Sequence, residues 1–363
     1  MSEWKDYKLG DIASFSYGKL PKHDLLGKGC YVTFSGYKYI ERYPEYNCEK
    51  GDVILVARGV GGTGDVKLTT QRCFLTNLSI KLDLDNRIVL NDYFYNMFRQ
   101  ENLRYLDSGS AQSQITIQDL ANVIIEVPSI DKQKRIAGVL SSLDDKIDLL
   151  HRENATLEAL AETLFRHYFI ENPNPDWKEG KLGDVCHYVT DKMETSSLTT
   201  ISYISTENML NDKQGVTEAS SIPDDIRVTR YGVGDILLSN IRPYFKKIWL
   251  ADRRGGCSND VLCIRANEKE FDCFVYYTLR QDDFFDYVML GSKGCKMPRG
   301  DKQHIMNWPI YLPNVESLGV FNKPVLLMIQ KIKSNQQQIQ TLTTKRDTLL
   351  PRLMSGEVNV VAH

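Results

Sequence analysis

What most restricts the fold of this 363-residue chain is that it is written twice. Trp4-Lys-Asp-Tyr-Lys-Leu-Gly-Asp-Ile12 returns as Trp177-Lys-Glu-Gly-Lys-Leu-Gly-Asp-Val185, with six of nine positions identical and two conservative. Gly51-Asp-Val-Ile-Leu55 returns as Gly234-Asp-Ile-Leu-Leu238, Gly109-Ser110 as Gly291-Ser292, and Val127-Pro128 as Leu312-Pro313. Four echoes in the same order indicate a duplicated domain, and the drift in their offset is what loops of unequal length produce.

Within each half, the leading 130 to 140 residues read as strand-rich. Val53–Ala57, Leu78–Leu82 and Val123–Val127 have the β-branched content of short strands. Asp92–Gln100 and Cys273–Arg280 suit short amphipathic helices at equivalent places. The fold class expected is therefore a strand-rich α/β (α+β) domain occurring twice.

Each half then ends in a heptad. Ile136, Leu140, Leu143, Ile147, Leu150, Asn154, Leu157, Ala161 and Leu164 step alternately by four and three residues. Val325, Met328, Ile332, Asn335, Ile339, Leu342, Arg346, Leu349 and Leu353 do the same. Asp131 is the expected N-cap of the first helix, and Pro173 and Pro175 end its segment. Asn322 and Pro324 mark the expected start of the second, with Pro351 disturbing its last turn. At 1.5 Å per residue, positions 136–165 would run about 45 Å. Aligned end to end as an antiparallel coiled coil, the two helices place Asn154 opposite Asn335. A buried Asn pair fixes register at some cost in stability, so Asn154→Leu is expected to raise stability and loosen register. The expected organisation is pseudo-twofold: a recognition domain at 1–130, a helical region at 131–172, a second domain at 173–315 and a second helical region at 316–363. Two heads at a fixed spacing suit a split target on a polymer such as DNA.

Composition excludes several classes. No apolar run reaches the length of a membrane span, and the mixed charge of the N-terminal residues is no secretory signal, so a cytoplasmic protein is expected. The eight cysteines form no CxxC pair and no zinc spacing with histidine, so no metal site is expected. Forty-five basic against forty-seven acidic residues give a net charge of −2, so any phosphate-binding surface has to be local.

The repeated entry motif, the Gly-Asp strand, the Ser108-Gly-Ser110 loop, the Asp131-Lys-Gln-Lys-Arg-Ile-Ala137 helix opening and the closing Leu349-Leu-Pro-Arg-Leu-Met-Ser-Gly356 resemble the specificity subunits of type I restriction–modification systems. The resemblance covers the whole chain, twice over. It implies two target-recognition domains, each reading half of a bipartite site in double-stranded DNA, with helices that dock two methyltransferase (modification) subunits. It also implies two motor–nuclease (restriction) subunits. S-adenosylmethionine, ATP and Mg would then be used on those partners, with no cofactor and no catalysis in this chain. One alternative keeps the family but omits the nuclease, leaving a methylation-only subunit. Another makes the chain a coiled-coil scaffold whose heads bind protein or another ligand. Arg346 at a core heptad position departs from a simple coiled coil.

Catalytic patterns are missing. Gly59-Val-Gly-Gly-Thr-Gly64 lacks the Lys-Ser/Thr ending of a phosphate loop. Asp52 with Asp65-Val-Lys67 approximates a metal-dependent nuclease, yet the second half keeps only Asp235, which makes Asp52 a structural turn residue. For DNA, basic side chains hold the backbone while Arg, Asn and Gln read base edges. The candidates in the first head are Lys19, Lys22, Lys38, Arg58, Gln112 and Gln114. Those in the second are Arg242, Lys246, Lys247, Lys293, Lys296 and Arg299. Arg135, Arg152, Phe165, Tyr168 and Phe169 are the candidate partner-binding residues, although the adjoining head could equally cover that aromatic cluster.

Overall fold

The computed structural model describes residues 4–36, 38–59, 62–107, 113–224, 226–294, 296–358 and 360. It is a mixed α/β protein of two units, Met1–Leu149 with Gln338–His363, and Leu150–Gln337. Two long helices, α1 (Ile130–Phe165) and α2 (Val315–Met354), each contribute to both units.

The first unit opens with Trp4–Lys8 paired antiparallel to Ile124–Pro128. Its four-stranded sheet runs Ala13–Tyr17, Ser79–Leu84, Val53–Val56, Val66–Leu68, all antiparallel. A three-stranded sheet follows, Lys38–Tyr43, Tyr31–Ser35, Cys73–Leu75, with the last pair parallel. Val53–Val56 is apolar throughout because both of its faces are buried. Val53 and Leu55 pack with Ile80, Leu82, Ile136, Leu140, Leu350 and Leu353. Ile54 and Val56 turn the other way, onto Phe34, Cys48, Cys73 and Leu75.

The second unit repeats this plan. Lys178–Lys181 pairs with Pro309–Leu312, and the four-stranded sheet runs Cys186–Tyr188, Val261–Ala266, Ile236–Ser239, Ile248–Leu250. The other sheet gains a strand: Lys192–Glu194, Arg227–Tyr231, Gly255–Cys257, then Tyr203–Ile204 in parallel. Ile236 and Leu238 join a core with Phe274, Phe321 and Val325, while Leu237 points to the opposite one.

Every heptad position named from the sequence is buried or half-buried. In the first unit, Asp144 of α1 takes Arg346 of α2 at 2.9 Å and Arg99 from the head. Burial alone would raise the Asp144 carboxyl, but these two guanidinium groups hold it below the usual carboxylate range. The charge at the Arg346 core position is thereby matched.

Three expectations need correction. α2 starts at Val315, not at Asn322–Pro324: the Asn314 side chain accepts from Ser317 N at 2.9 Å, while Asn322 donates to Glu270 O from inside the helix. Pro351 does not interrupt α2, because Gln100 Nε2 donates to the Asp347 carbonyl that a residue 351 N–H would otherwise have served. Asp272–Leu279 is a helix, but from Cys273 onward it is buried on all sides rather than amphipathic. Its counterpart in the first unit is Asn91–Met97.

Candidate nucleic-acid interface

The two loops that follow the Gly-Asp strand and the second glycine motif are tied together by one backbone frame, which occurs in both units. In the first, Ala57 O accepts from Ile115 N at 3.0 Å, and Arg58 forms an antiparallel bridge with Gln114. In the second, Asn240 O accepts from Gly300 N at 3.2 Å, and Ile241 bridges Arg299. Arg58 thus matches Ile241, and Gln114 matches Arg299.

Around the first frame, Arg58 N donates to Leu78 O at 3.0 Å. Its Nε is buried and has no hydrogen-bond partner among the described residues. Gln114 is half-buried, and its N–H is held by Asp107 Oδ1 at 2.8 Å. Ser113 Oγ also bonds Asp107. Lys38 is exposed at the start of its strand, beyond a Gly36 turn that abuts the Arg58 carbonyl. Lys19 and Lys22 are exposed on the preceding segment, Lys19 bridged to Thr76 and Lys22 N donating to Tyr43 Oη at 3.1 Å. Gln112 and the Ser108-Gly-Ser110 motif lie outside the described residues.

The second frame is more basic. Arg242 N donates to Pro298 O at 2.8 Å, and Lys293 and Arg299 exchange two backbone hydrogen bonds at 3.0 Å. Arg242 and Lys246 adopt φ of 50° and 49°, a left-handed conformation that costs a non-glycine residue about 1 kcal/mol or more. Several cations are already engaged: Lys246 with Asp282 at 2.8 Å, Lys293 with Asp301 at 3.0 Å, and Arg299 with Asp260 at 3.1 Å. Lys247 Nζ donates to Thr206 O at 2.6 Å, and burial together with the nearby Arg242 charge lowers it from the usual lysine range. Arg242 and Lys296 are exposed and have no ion pair among the described residues. The structure therefore gathers all six second-head candidates but only Arg58, Gln114 and Lys38 of the first.

Sequence reasoning missed Asp107, Asp260 and Asn240, whose side chains or carbonyls brace the frame. No spacing marks them, since each meets its partner only through folding. It also missed Gln133, fully buried, which accepts from Leu90 N and donates to the Ile88 and Pro128 carbonyls, fastening the start of α1 to the head.

Among the helix candidates, Arg135 and Arg152 are exposed and Tyr168 is half-buried. Phe165 and Phe169 are corrected. They are only 3% and 6% exposed, inside the second unit's own core. Phe165 meets Phe274 at 5.8 Å between centroids, and Phe169 meets Phe321 at 5.0 Å and Trp177 at 5.6 Å. After α1 the chain widens into a π-helical turn at Arg166–Glu171, just before the entry motif of the second half, and the head covers the cluster. Asn335 Nδ2 donates to Asn154 Oδ1 at 2.8 Å and to Glu153 Oε2 at 3.0 Å.

The carboxylates weighed as nuclease ligands close turns. Asp52 accepts from Glu49 N and pairs with Lys81, both at 2.8 Å. Asp235 accepts from Gly232 N at 2.6 Å and pairs with Arg265 at 2.6 Å. Among the described residues no group of His, Cys, Asp and Glu could hold a metal ion, and no helix is long and apolar enough to cross a membrane.

Residues 1–159 match the family described as type I restriction modification DNA specificity domain. The chain is 26% identical to the type I restriction enzyme MjaIX specificity subunit of Methanocaldococcus jannaschii, over 98% of this chain and 89% of that protein. It is 20% identical to the HindI specificity subunit of Haemophilus influenzae, over 99% and 100%. The crystal structure of a type I restriction–modification S subunit from M. genitalium superposes with a TM-score of 0.66 at 18% identity, covering 96% of each chain.

Proposed function

We propose that this chain is a specificity subunit of a type I restriction–modification system, and that each unit reads one half of a bipartite double-stranded DNA site. The observation that carries this reading is the duplicated loop frame. One backbone arrangement is built twice, with Arg58 and Gln114 in one copy and Ile241 and Arg299 in the other. A pair of heads sharing one geometry and differing in edge-reading side chains is what two unlike half-sites require. Arg242, Lys296 and Lys38 supply charge for the phosphate backbone, so binding should weaken steeply with salt.

The helices serve the partners. With Phe165 and Phe169 buried, the candidate docking residues for the modification subunits are Arg135 in the first unit and, in the second, Arg152 and the exposed apolar side chains Val315, Val320, Leu326 and Leu327 of α2. The Asn154–Asn335 pair sets helix register. S-adenosylmethionine chemistry belongs to the modification subunits, and ATP and Mg chemistry to restriction subunits where these are present. This chain performs no catalysis.

The test is co-expression with its modification subunit, followed by genome-wide mapping of N6-methyladenine. Methylation at one split motif, each half of which changes when one head is exchanged, is the expected result. A complex that methylates without a split motif, or heads that bind with no salt dependence, would favour a scaffold instead.

A further inference from the structure

The bridged pair at the end of the central strand is held in the same geometry in both heads. Its backbone is held by the same two contacts in both heads, Ile115 N to Ala57 O with the 58–114 bridge, and Gly300 N to Asn240 O with the 241–299 bridge. The strand behind it is buried on both faces in each unit. Fixed backbone with changing side chains is the condition for reading, because only a side chain launched from a known point can be matched to a base edge.

The polar groups at this pair are incompletely used by the protein. Among the described residues Arg58 Nε is buried with no hydrogen-bond partner, and so is Asn240 Oδ1, which lies against Gly300 of the second frame. Arg299 is the opposite case: it is exposed, and one guanidinium nitrogen pairs with Asp260 at 3.1 Å. Asp260 is itself anchored, its carbonyl accepting from Asn240 N at 2.8 Å. A carboxylate on one edge orients a guanidinium plane and leaves its other donors for a planar acceptor pair.

Resting on the reading of the heads as DNA readers, we infer that Gln114 and Arg299 are equivalent base-reading positions, one per half-site. Gln114 presents the amide that matches the N6 and N7 edge of adenine, with Arg58 beside it. Arg299 presents the fork that matches O6 and N7 of guanine. Asp260 is a positioning residue for Arg299. Arg242, held left-handed against Pro298, and Lys296 contact phosphate and carry no sequence information.

The experiment uses the complex with the modification subunit and a plasmid library randomised across both half-sites, read by N6-methyladenine mapping. Arg299→Gln should change preference at one base pair of the second half-site, with roughly 10- to 100-fold loss on the original base, and leave the first half-site alone. Gln114→Arg should do the converse. Asp260→Asn should relax discrimination at the same base pair as Arg299→Gln, with rescue by Asp260→Glu, whereas a merely structural Asp260 would lower methylation equally at all sequences. Arg242→Ala should weaken methylation without altering the motif. Thermal melting confirms that each variant is folded, and Arg299→Lys, which keeps the charge and loses the fork, replaces Arg299→Gln where it is not. Retention of both original half-sites by the Gln114 and Arg299 variants, while whole-head exchange still changes them, would overturn this inference alone. Half-sites that survive whole-head exchange as well would overturn the DNA reading itself.

Discussion

The Asn154–Asn335 contact makes an asymmetric prediction. Asn335 is fully buried, with both Nδ2 hydrogens spent on Asn154 Oδ1 and Glu153 Oε2 and its own Oδ1 buried without a partner among the described residues. Asn154 and Glu153 are only half-buried. Asn335→Leu therefore removes an amide that is poorly satisfied, and leaves behind two groups that water can reach. Asn154→Leu does the reverse, stranding part of a fully buried amide at about 1–3 kcal/mol. From the sequence alone Asn154→Leu is the stabilising change; with the burial known, it should be less stable than Asn335→Leu by about 1–2 kcal/mol. For a unit of this size that is roughly 2–8 °C in melting temperature. The double variant, apolar on both sides, should exceed the parent by about 1–2 kcal/mol while losing the polar contact that specifies register. Scanning calorimetry on the full chain supplies all four corners of the cycle. An Asn154→Leu protein at least as stable as Asn335→Leu, or effects that add within about 0.5 kcal/mol, would refute the reasoning, because either result means the two amides are not energetically coupled.

Other substitutions probe the second unit. Burial raises the Asp272 carboxyl to about 6, with the Asp235 and Glu270 charges adding and Lys269 opposing. The folded state then favours the protonated form, so its contribution falls as pH rises from about 4 to about 6. Asp272→Asn should gain about 1–2 kcal/mol above pH 6 and nothing below pH 4, the full shift being discounted for partial exposure; a pH-independent gain in melting temperature would contradict this. Arg280, 6% exposed, bonds Glu162 at 2.8 Å and Tyr276 Oη at 3.0 Å. Arg280→Met should cost about 2–3 kcal/mol, less than for a fully buried pair because Glu162 regains water; chemical denaturation measures it. A Cβ at Gly255 would lie 2.0 Å from Ser202 O, so Gly255→Ala should cost about 3 kcal/mol, whereas exposed Gly138 of α1 has open space and Gly138→Ala should gain about 1 kcal/mol. Equal melting temperatures for those two alanine variants would count against the packing described.

The parts legible in the sequence are those governed by periodicity. The heptads predicted which faces of α1 and α2 are buried, because burial follows the 3.5-residue step whatever the partner. Val53–Val56 and Ile236–Ser239 were readable as strands for the same local reason. What escaped is non-local. Tyr203–Ile204 is two residues long and pairs in parallel with a glycine strand, so nothing in its own composition marks it. Cys273–Leu279 resembled a surface helix, since Tyr276, Tyr277 and Thr278 have polar atoms, yet all three are buried with Arg280 engaging Tyr276 Oη. Pro324 and Pro351 were read as boundaries because a proline lacks the N–H a helix needs, and the Gln100 contact that compensates at Asp347 comes from 247 residues away. For Phe165 and Phe169 the sequence left head and partner equal as the cover, because the rings that cover them come from three separate segments.

The placement of the repeat itself has a physical reason. Where a strand is apolar on both faces, a one-residue slip exchanges one buried side chain for another, so hydrophobicity cannot set its register. Something at the strand's end has to. In both units that is the Gly-Asp turn: Gly51 at φ 87° with Asp52 accepting from Glu49 N, and Gly234 at φ 91° with Asp235 accepting from Gly232 N. A conformation open to glycine and a carboxylate that closes three residues of backbone leave little freedom of residue type, and there the two halves agree letter for letter. At the other end of each strand the bridge itself is made by backbone groups, Ala57 O in one unit and Asn240 O in the other, with Asp107 and Asp260 bracing it from outside the bridged pair. Side chains at that end are released from structural duty, and there the halves differ. The duplicated turn therefore sets where the frame stands, and the frame leaves residue type free at 58, 114, 241 and 299, so under the proposed reading one fold can be given a new half-site without being rebuilt.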